Sequence, residues 1–478
     1  MSKLDFLLVK THRLRPKWQP TGLMYVAKAL ENVGAKVKIL DLFFEKNPIK
    51  TLESILIRYK PNFVGIGGLY SEFDTIEAIS KTIKDIDKNI KVIVGGPIAG
   101  VLTNELLKIK YIDIVALREG ESISQDIFKY SINKMPLEEI RGIVFKKGDD
   151  VIYTKPRPIE DIDAIPIPSW HLIEVERYIT TNDNWFGKEH LRMLNIVPAR
   201  GCPYSCIFCD KSVFGNKWRG RNPKNIVDEI VMLKTRYNIQ AVMFLDDIFD
   251  VNKKWVFSFI DELKSRNVNI YWGCSSRVNH ADYELYKKMR EAGCLYIFYG
   301  IEFGSDEILK RANKGFASKD INRAIDIAKS AGLRVVGSYM LGMLDETEED
   351  IEKTIKSAIN SKIDVGGISV LTPIASTVLF DMAVKSKKID PNKPYWRATR
   401  ENAYINLTKN LSNKRLAFLR AKAYWVMFWT RPSRKLPKWF CKIMEKSFFI
   451  FRPFIGDRFM NFIHYLDSIR KKLHLGLP

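Results

Sequence analysis

The chain's 478 residues are 46% hydrophobic, 12% aromatic and 28% charged. That is material for two or three cored domains, and it excludes a small single module, a disordered chain or a disulfide-stapled scaffold. Seventy-seven Lys and Arg against 55 Asp and Glu leave a formal charge of +22, which points to an acidic partner: anionic lipid, a phosphorylated substrate or nucleic acid.

Residues 1–10 carry Asp5 inside a very short apolar run and no small-residue cleavage site, so no secretory signal is read. No stretch reaches the ~18 consecutive apolar residues of a membrane span. Six cysteines in so long a chain make no disulfide framework, and the expected compartment is the reducing cytoplasm.

Up to residue 135, β-rich runs at 5–10, 36–42, 63–70, 91–98 and 112–119 alternate with helical patterns such as 22–32 and 75–87. Strands this apolar predict a parallel sheet covered on both faces, with ligands bound beyond its carboxyl ends. The loops placed there are 11–20, 69–73, Gly95-Gly96-Pro97 and Glu119-Gly120-Glu121. Their glycines equally suit plain tight turns. A polar hairpin around Gly148 and a connector, Ile165-Pro166-Ile167-Pro168, then mark a boundary.

The alternation restarts after Leu194. Strands are predicted at 194–198, 241–246, 270–275, 296–302, 333–341 and 367–373, with helices at 225–237, 254–265, 283–291, 319–331 and 347–361. Six βα units make a barrel or part of one, whose reactive groups belong at the strand C-terminal ends. The domains expected are 1–140, a hairpin and linker at 141–188, a barrel at 189–395 and a helical region at 396–478.

Just past the first barrel strand stands Arg200-Gly201-Cys202-Pro203-Tyr204-Ser205-Cys206-Ile207-Phe208-Cys209. Three thiols at spacings of four and three can wrap one face of a small cluster, and soft thiolate suits iron–sulfur or zinc. A structural zinc wants a fourth local ligand. The next candidates, Cys274 and His280, fall in other units. Packing gives no reason for three of six cysteines to crowd together.

This Cys-x3-Cys-x2-Cys run, with an aromatic before the third cysteine and a βα repeat around it, resembles the radical S-adenosylmethionine (SAM) superfamily. The resemblance implies that Cys202, Cys206 and Cys209 hold a [4Fe–4S] cluster whose open iron chelates SAM and cleaves it to a 5′-deoxyadenosyl radical. Further matches imply SAM contacts from Phe208, from Asp246 and Asp247 at the second strand's end, and from Glu302 in Gly300-Ile301-Glu302-Phe303-Gly304. Ser275, Arg277, Ser338 and Leu341 belong to the same set. All of these polar residues also suit helix caps or a charged rim. Where relatives show Gly-Leu-Pro-Gly-Glu-Thr, this chain has Gly342-Met343-Leu344-Asp345-Glu346-Thr347, so that loop is expected to differ in shape.

The front domain is similar to the cobalamin-binding subgroup, which includes hopanoid methylases and the anaerobic magnesium-protoporphyrin ester cyclase. The matching positions are Thr21, Gly22, Leu23, the Asp41 strand end, Ser71, Gly95, Gly96, Pro97, Glu119, Gly120 and Glu121. No Asp-x-His-x-x-Gly follows the first strand; His12 precedes Arg13-Leu14-Arg15-Pro16 and reads as a surface histidine, leaving cobalt without a lower histidine. The implied fold class is α/β: a Rossmann-like (flavodoxin-like) cobalamin domain, a partial TIM-type (βα)6 radical SAM barrel and a helical, basic C-terminal region.

The resemblance implies a C-methyltransferase. One SAM methylates cob(I)alamin, a second yields the radical that takes hydrogen from an unactivated carbon, and the carbon radical accepts the methyl. Cyclisation, carbon–carbon bond formation or oxidation without methyl transfer is the alternative, and a basic binding protein with a structural metal is the alternative from another class. An external flavodoxin- or ferredoxin-type electron donor and a small-molecule or lipid-like substrate are expected partners. Cys274, Cys294 and Tyr299 are candidates by location for moving a hydrogen.

Residues 412–478 hold 15 basic residues, 3 acidic ones and 14 aromatics, and carry about +12 of the net charge. They read as a helical cap on the barrel edge, as an interfacial membrane contact or, third, as a nucleic-acid stacking surface. A lipid-like substrate would join the first two, and nucleic acid is not an expected partner.

Overall fold

The computed structural model describes residues 3–11, 18–181, 185–188, 190–396 and 405–430. His12 and residues 431–478 of the basic tail lie outside them. The front sheet starts with β1 (Phe6–Lys10), β2 (Val37–Asp41), β3 (Phe63–Gly67), β4 (Lys91–Gly95) and β5 (Ile114–Ala116), parallel and in the order 2-1-3-4-5. Helices α1 (Thr21–Asn32), α2 (Pro48–Tyr59), α3 (Phe73–Ile86), α4 (Pro97–Val101), α5 (Thr103–Lys108) and α6 (Glu121–Ser131) connect and cover it. The strands read as solid apolar runs because both faces are buried, one beneath Leu52, Ile76 and Leu106, the other beneath Leu30 and Ile127.

The expected polar hairpin is present and joins the front sheet. Its strands β6 (Ile143–Lys147) and β7 (Asp150–Tyr153) continue the sheet antiparallel to β5. Only Ile143, Val144 and Phe145 of this pair are buried, so the edge strand carries little apolar signal.

The second sheet contains β8 (Met193–Ile196) and, after a small antiparallel ladder of β9 (Ala199–Arg200) with β10 (Arg219–Gly220), continues through β11 (Ala241–Phe244), β12 (Tyr271–Ser276), β13 (Cys294–Glu302), β14 (Arg334–Leu341) and β15 (Val365–Val370). All six large strands are parallel, in chain order from β8 to β15, and the sheet stays open. The helices are α7 (Pro223–Tyr237), α8 (Lys253–Ser265), α9 (Tyr283–Glu291), α10 (Asp306–Arg311), α11 (Ser318–Ser330), α12 (Glu348–Asn360), α13 (Val378–Lys385) and α14 (Asn413–Thr430).

Alternation along each strand sorts the side chains. Leu194, Val242, Trp272, Cys274, Ile297, Tyr299, Val335, Tyr339 and Leu341 pack outward into the helical layer. Met193, Met243, Tyr296 and Val336 face the bore, which Trp185 and Phe186 plug at the strand N-terminal end by packing on Tyr296 and Phe298.

Both open edges are managed. Thr180 pairs with Met193 beside β8, and α14 lies on β15 and α12. Leu416, Leu419, Ala423 and Met427 of α14 are buried in the barrel's main core, and Lys422 meets Glu352 at 2.8 Å. Up to Met427 the tail is therefore a cap. Among the described residues no helix is long and apolar enough to cross a membrane.

Candidate active site

The three thiols occupy the loop between β9 and β10, at the carboxyl end of the barrel. Gly201 has a φ of 80°, and a Cβ there would fall 2.3 Å from the Lys217 carbonyl oxygen, so only glycine lets the chain turn toward Cys202. Lys211 Nζ donates to the Cys202 carbonyl at 2.9 Å and closes the loop. Cys202 and Cys206 are half-buried and Cys209 is exposed. Among the described residues no three His, Cys, Asp or Glu side chains converge closely enough to cage one metal ion.

Tyr204, Ser276 and Asp250, which carry no assigned role from sequence, support this loop together with His280 and Arg277. Tyr204 hydrogen-bonds to His280 Nε2, His280 Nδ1 lies 2.9 Å from Asp250, and Ser276 Oγ donates to Asp250 at 2.6 Å. Arg277 stacks over the Tyr204 ring at 3.8 Å and directs Nη1 at Cys206 Sγ, 3.4 Å away. Its Nη2 donates to the Lys314 carbonyl and its Nε to Asn279, so the guanidinium bridges the cysteine loop and the segment after α10. Tyr204 and His280 are 76 positions apart, so only the folded chain joins them.

The other expected SAM contacts separate by strand parity. Asp246 follows β11, and both its carboxylate oxygens are buried, with only the backbone amides of Asp246 itself and Ser275 favouring their charge. Burial, with Asp247 and Asp250 adding repulsion, raises its pKa well above the ordinary range. Asp247 is exposed at the mouth. Glu302 has a φ of 72° at a register shift between β13 and β14, a conformation that costs about 1–2 kcal/mol. Ser338 donates to it at 3.2 Å, and Lys314 stands 3.7 Å away. Burial pushes the Glu302 carboxyl up while Lys314 pulls it down. Phe208 packs edge-on against Phe303, and Ser275 shares its strand face with Arg277. Leu341 differs: its side chain is fully buried in the helical layer and its carbonyl accepts from Leu371 N at 2.8 Å. Cys274, Cys294 and Tyr299 also lie in that layer, which leaves them no path to the bore.

The loop after β14 is held by Glu346, fully buried, whose Oε2 accepts from the amides of Gly342 at 2.5 Å and Met343 at 3.0 Å. These bonds fix a turn that lacks the relatives' proline. Burial raises this carboxyl from 4.5 to about 8. The neutral form is the one the fold favours, so its contribution is complete below pH 4.5 and is lost as the pH rises through 8. Glu346→Gln mimics the neutral acid. It should match the parent chain near pH 5 and exceed it at pH 9 by on the order of 3 kcal/mol, which unfolding curves at the two pH values will measure.

In the front sheet, a crevice of about 480 Å³ opens beyond β1, β3, β4 and β5, at the switch point of the 2-1-3-4-5 order. Thr21, Gly22, Leu23, Gly95, Gly96 and Pro97 line it, and Ser71 lies just outside the lining. Glu119, Gly120 and Glu121 also line it, but both carboxylates are taken by arginines of the cysteine loop: Arg200 reaches Glu121 at 2.6 Å and Arg219 reaches Glu119 at 2.6 Å. Glu72, missed from sequence, is buried there and accepts from Thr11 and from Leu69 N. Gln19 crosses to the Asn195 carbonyl at 2.5 Å.

Comparison with known proteins fits this layout. The family model described as the radical SAM superfamily matches residues 196–358, and the B12 binding domain matches residues 9–128. An uncharacterized methyltransferase of Pyrococcus horikoshii is 31% identical over 443 residues, 92% of each chain. The chain belongs to the B12-binding radical SAM family. An anaerobic magnesium-protoporphyrin IX monomethyl ester cyclase of Cereibacter sphaeroides is 27% identical, over 76% of this chain and 60% of the cyclase. The fold of this B12-binding radical SAM enzyme is that of OxsB, a cobalamin-dependent SAM radical enzyme solved with aqua-cobalamin and SAM (TM-score 0.76, 15% identity, 98% of this chain and 75% of OxsB). It is also that of the radical SAM methyltransferase TsrM from Kitasatospora setae (TM-score 0.71, 16% identity, 92% and 91%).

Proposed function

We propose that this chain is a cobalamin-dependent radical SAM C-methyltransferase acting on an unactivated carbon of a small, hydrophobic molecule. The observation that carries this reading is the placement of the cysteine loop. Its residues Arg200, Val213 and Phe214 form a wall of the front crevice, so the thiols and the crevice share one structural element. A 31% identical relative described as a methyltransferase, matched over 92% of both chains, supports the reaction class.

Cys202, Cys206 and Cys209 would hold a [4Fe–4S] cluster, and the crevice lined by Thr21, Gly22, Gly95 and Gly96 would hold the corrin. Together with SAM these groups supply one-electron cleavage of a sulfonium and a transferable methyl. The chain's residues do the rest. Asp246 and Asp247 offer carboxylates to an ammonium, Glu302 with Ser338 offers acceptors to hydroxyls, and Arg277 steadies Cys206. The crevice lining is mostly apolar, which excludes water from a reactive radical. No group in this arrangement replaces an electron source, so the reading includes an external one-electron donor protein.

The experiment is an anaerobic turnover with SAM labelled in its methyl group. The label should appear in product together with 5′-deoxyadenosine. Deoxyadenosine formed without label in product would overturn methyl transfer and favour cyclisation or oxidation.

A further inference from the structure

We propose that residues 200–214 are a shared wall tying occupancy of the front crevice to the shape of the cysteine loop, with the Arg200–Glu119–Glu121–Arg219 cluster as its positioning element. The inference rests on the reading that the crevice takes a corrin and the thiols an iron–sulfur cluster.

The first link is electrostatic. Arg200 Nη2 donates to Glu121 at 2.6 Å and Nη1 to Glu119 at 3.3 Å, while Arg219 donates to both Glu119 oxygens at 2.6 and 3.1 Å. All four side chains are less than a tenth exposed. The charges cancel, two against two, and separating one pair would leave a buried charge unmatched at a cost of several kcal/mol. The Arg200 guanidinium is also held between Tyr25, from the front domain, and Phe214, at 4.9 and 5.1 Å. The cluster therefore moves as a unit. Glu119 and Glu121 form the crevice lip, so a shift of the lip drags Arg200.

The second link is covalent and stiff. Arg200 stands two residues before Cys202, across Gly201, which is wedged on the Lys217 carbonyl. Arg200 and Arg219 are also partners in the β9–β10 ladder. A displacement at Arg200 has no slack to vanish in before the first thiol.

The third link brackets the loop from the far side. A Cβ added to Gly100, on α4, would fall 2.4 Å from Ser212 Cβ, so the front domain touches the chain three residues past Cys209. The cysteine loop is thus held at both ends by the domain that forms the crevice. Two sites that share one rigid wall are coupled, and the coupling is reciprocal, typically five- to 150-fold in affinity.

The test is an absorbance titration of the full chain with hydroxocobalamin, anaerobically, with and without prior reconstitution by iron and sulfide. The parent chain should bind hydroxocobalamin at least about fivefold more tightly once reconstituted, and should lose iron to a chelator more slowly when hydroxocobalamin is present. Glu121→Gln removes a charge from the crevice lip itself, so only its own ratio is read: its affinities with and without reconstitution should agree to within about twofold. Gly100→Ala leaves every charge in place and wedges the other bracket; it should shrink the same difference. Equal affinities in the parent chain, or an undiminished difference in both variants, would overturn the shared wall. Failure of the parent chain to retain iron or corrin would instead overturn the reading beneath it.

Discussion

Cys206→Ala should reduce reductive cleavage of SAM by at least about a thousandfold and leave less than a quarter of the parent's bound iron. A cluster held by three thiolates has no spare ligand, and two soft donors cannot define its face. Among the described residues no other thiol can substitute: Cys274 and Cys294 are sealed in the layer between sheet and helices. The Arg277 Nη1 that now points at Cys206 Sγ from 3.4 Å would lose that partner. The rest of the molecule should be intact, because Cys206 is half-buried and outside the apolar cores. Hydroxocobalamin should bind the variant as it binds the iron-free parent chain. Iron analysis, deoxyadenosine assay and corrin titration on one preparation separate these effects. Parent-level cleavage by the alanine variant would remove the thiol trio from the mechanism.

Asp246→Asn should move stability and SAM binding in opposite directions. Both carboxylate oxygens are buried, and burial beside two more acids disfavours the charged form more than the backbone amides of Asp246 and Ser275 favour it. The raised folded-state pKa means that this group's contribution is complete below the ordinary carboxylate pKa and falls away as the pH rises through the higher value. Neutral asparagine should therefore stabilise the SAM-free chain at pH 8 by about 1–3 kcal/mol. The same change removes a charge available to an ammonium and should weaken SAM binding 10- to 100-fold. Thermal unfolding and calorimetric titration measure the two quantities. A stability gain with unchanged SAM affinity would make Asp246 a strained core residue with no share in the site.

Much of this was legible before folding. The barrel strands were placed to within three residues at every end because each is an apolar run sandwiched between bore and helices. The cysteine spacing pointed to a loop that the fold does place at the carboxyl end of the barrel, between β9 and β10. What escaped was tertiary. Glu119 and Glu121 read as cofactor contacts because they follow a strand end beside glycine, yet Arg200 and Arg219, some 80 to 100 positions away, occupy their oxygens. Leu341, Cys274 and Tyr299 were near the right strand ends but on the outward side of the alternation. The hairpin at Gly148 was legible as a hairpin, but a half-exposed edge strand has too few apolar residues to declare which sheet it joins. Tyr204, His280 and Asp250 carry no shared local signal at all.

The most direct measurement is the spectrum and metal content of the full chain, purified anaerobically and supplied with iron, sulfide and hydroxocobalamin. The expected result is about four irons and one corrin per chain, with the reduced cluster's paramagnetic resonance signal changing when SAM is added. A colourless protein retaining a single zinc and no corrin would contradict the account.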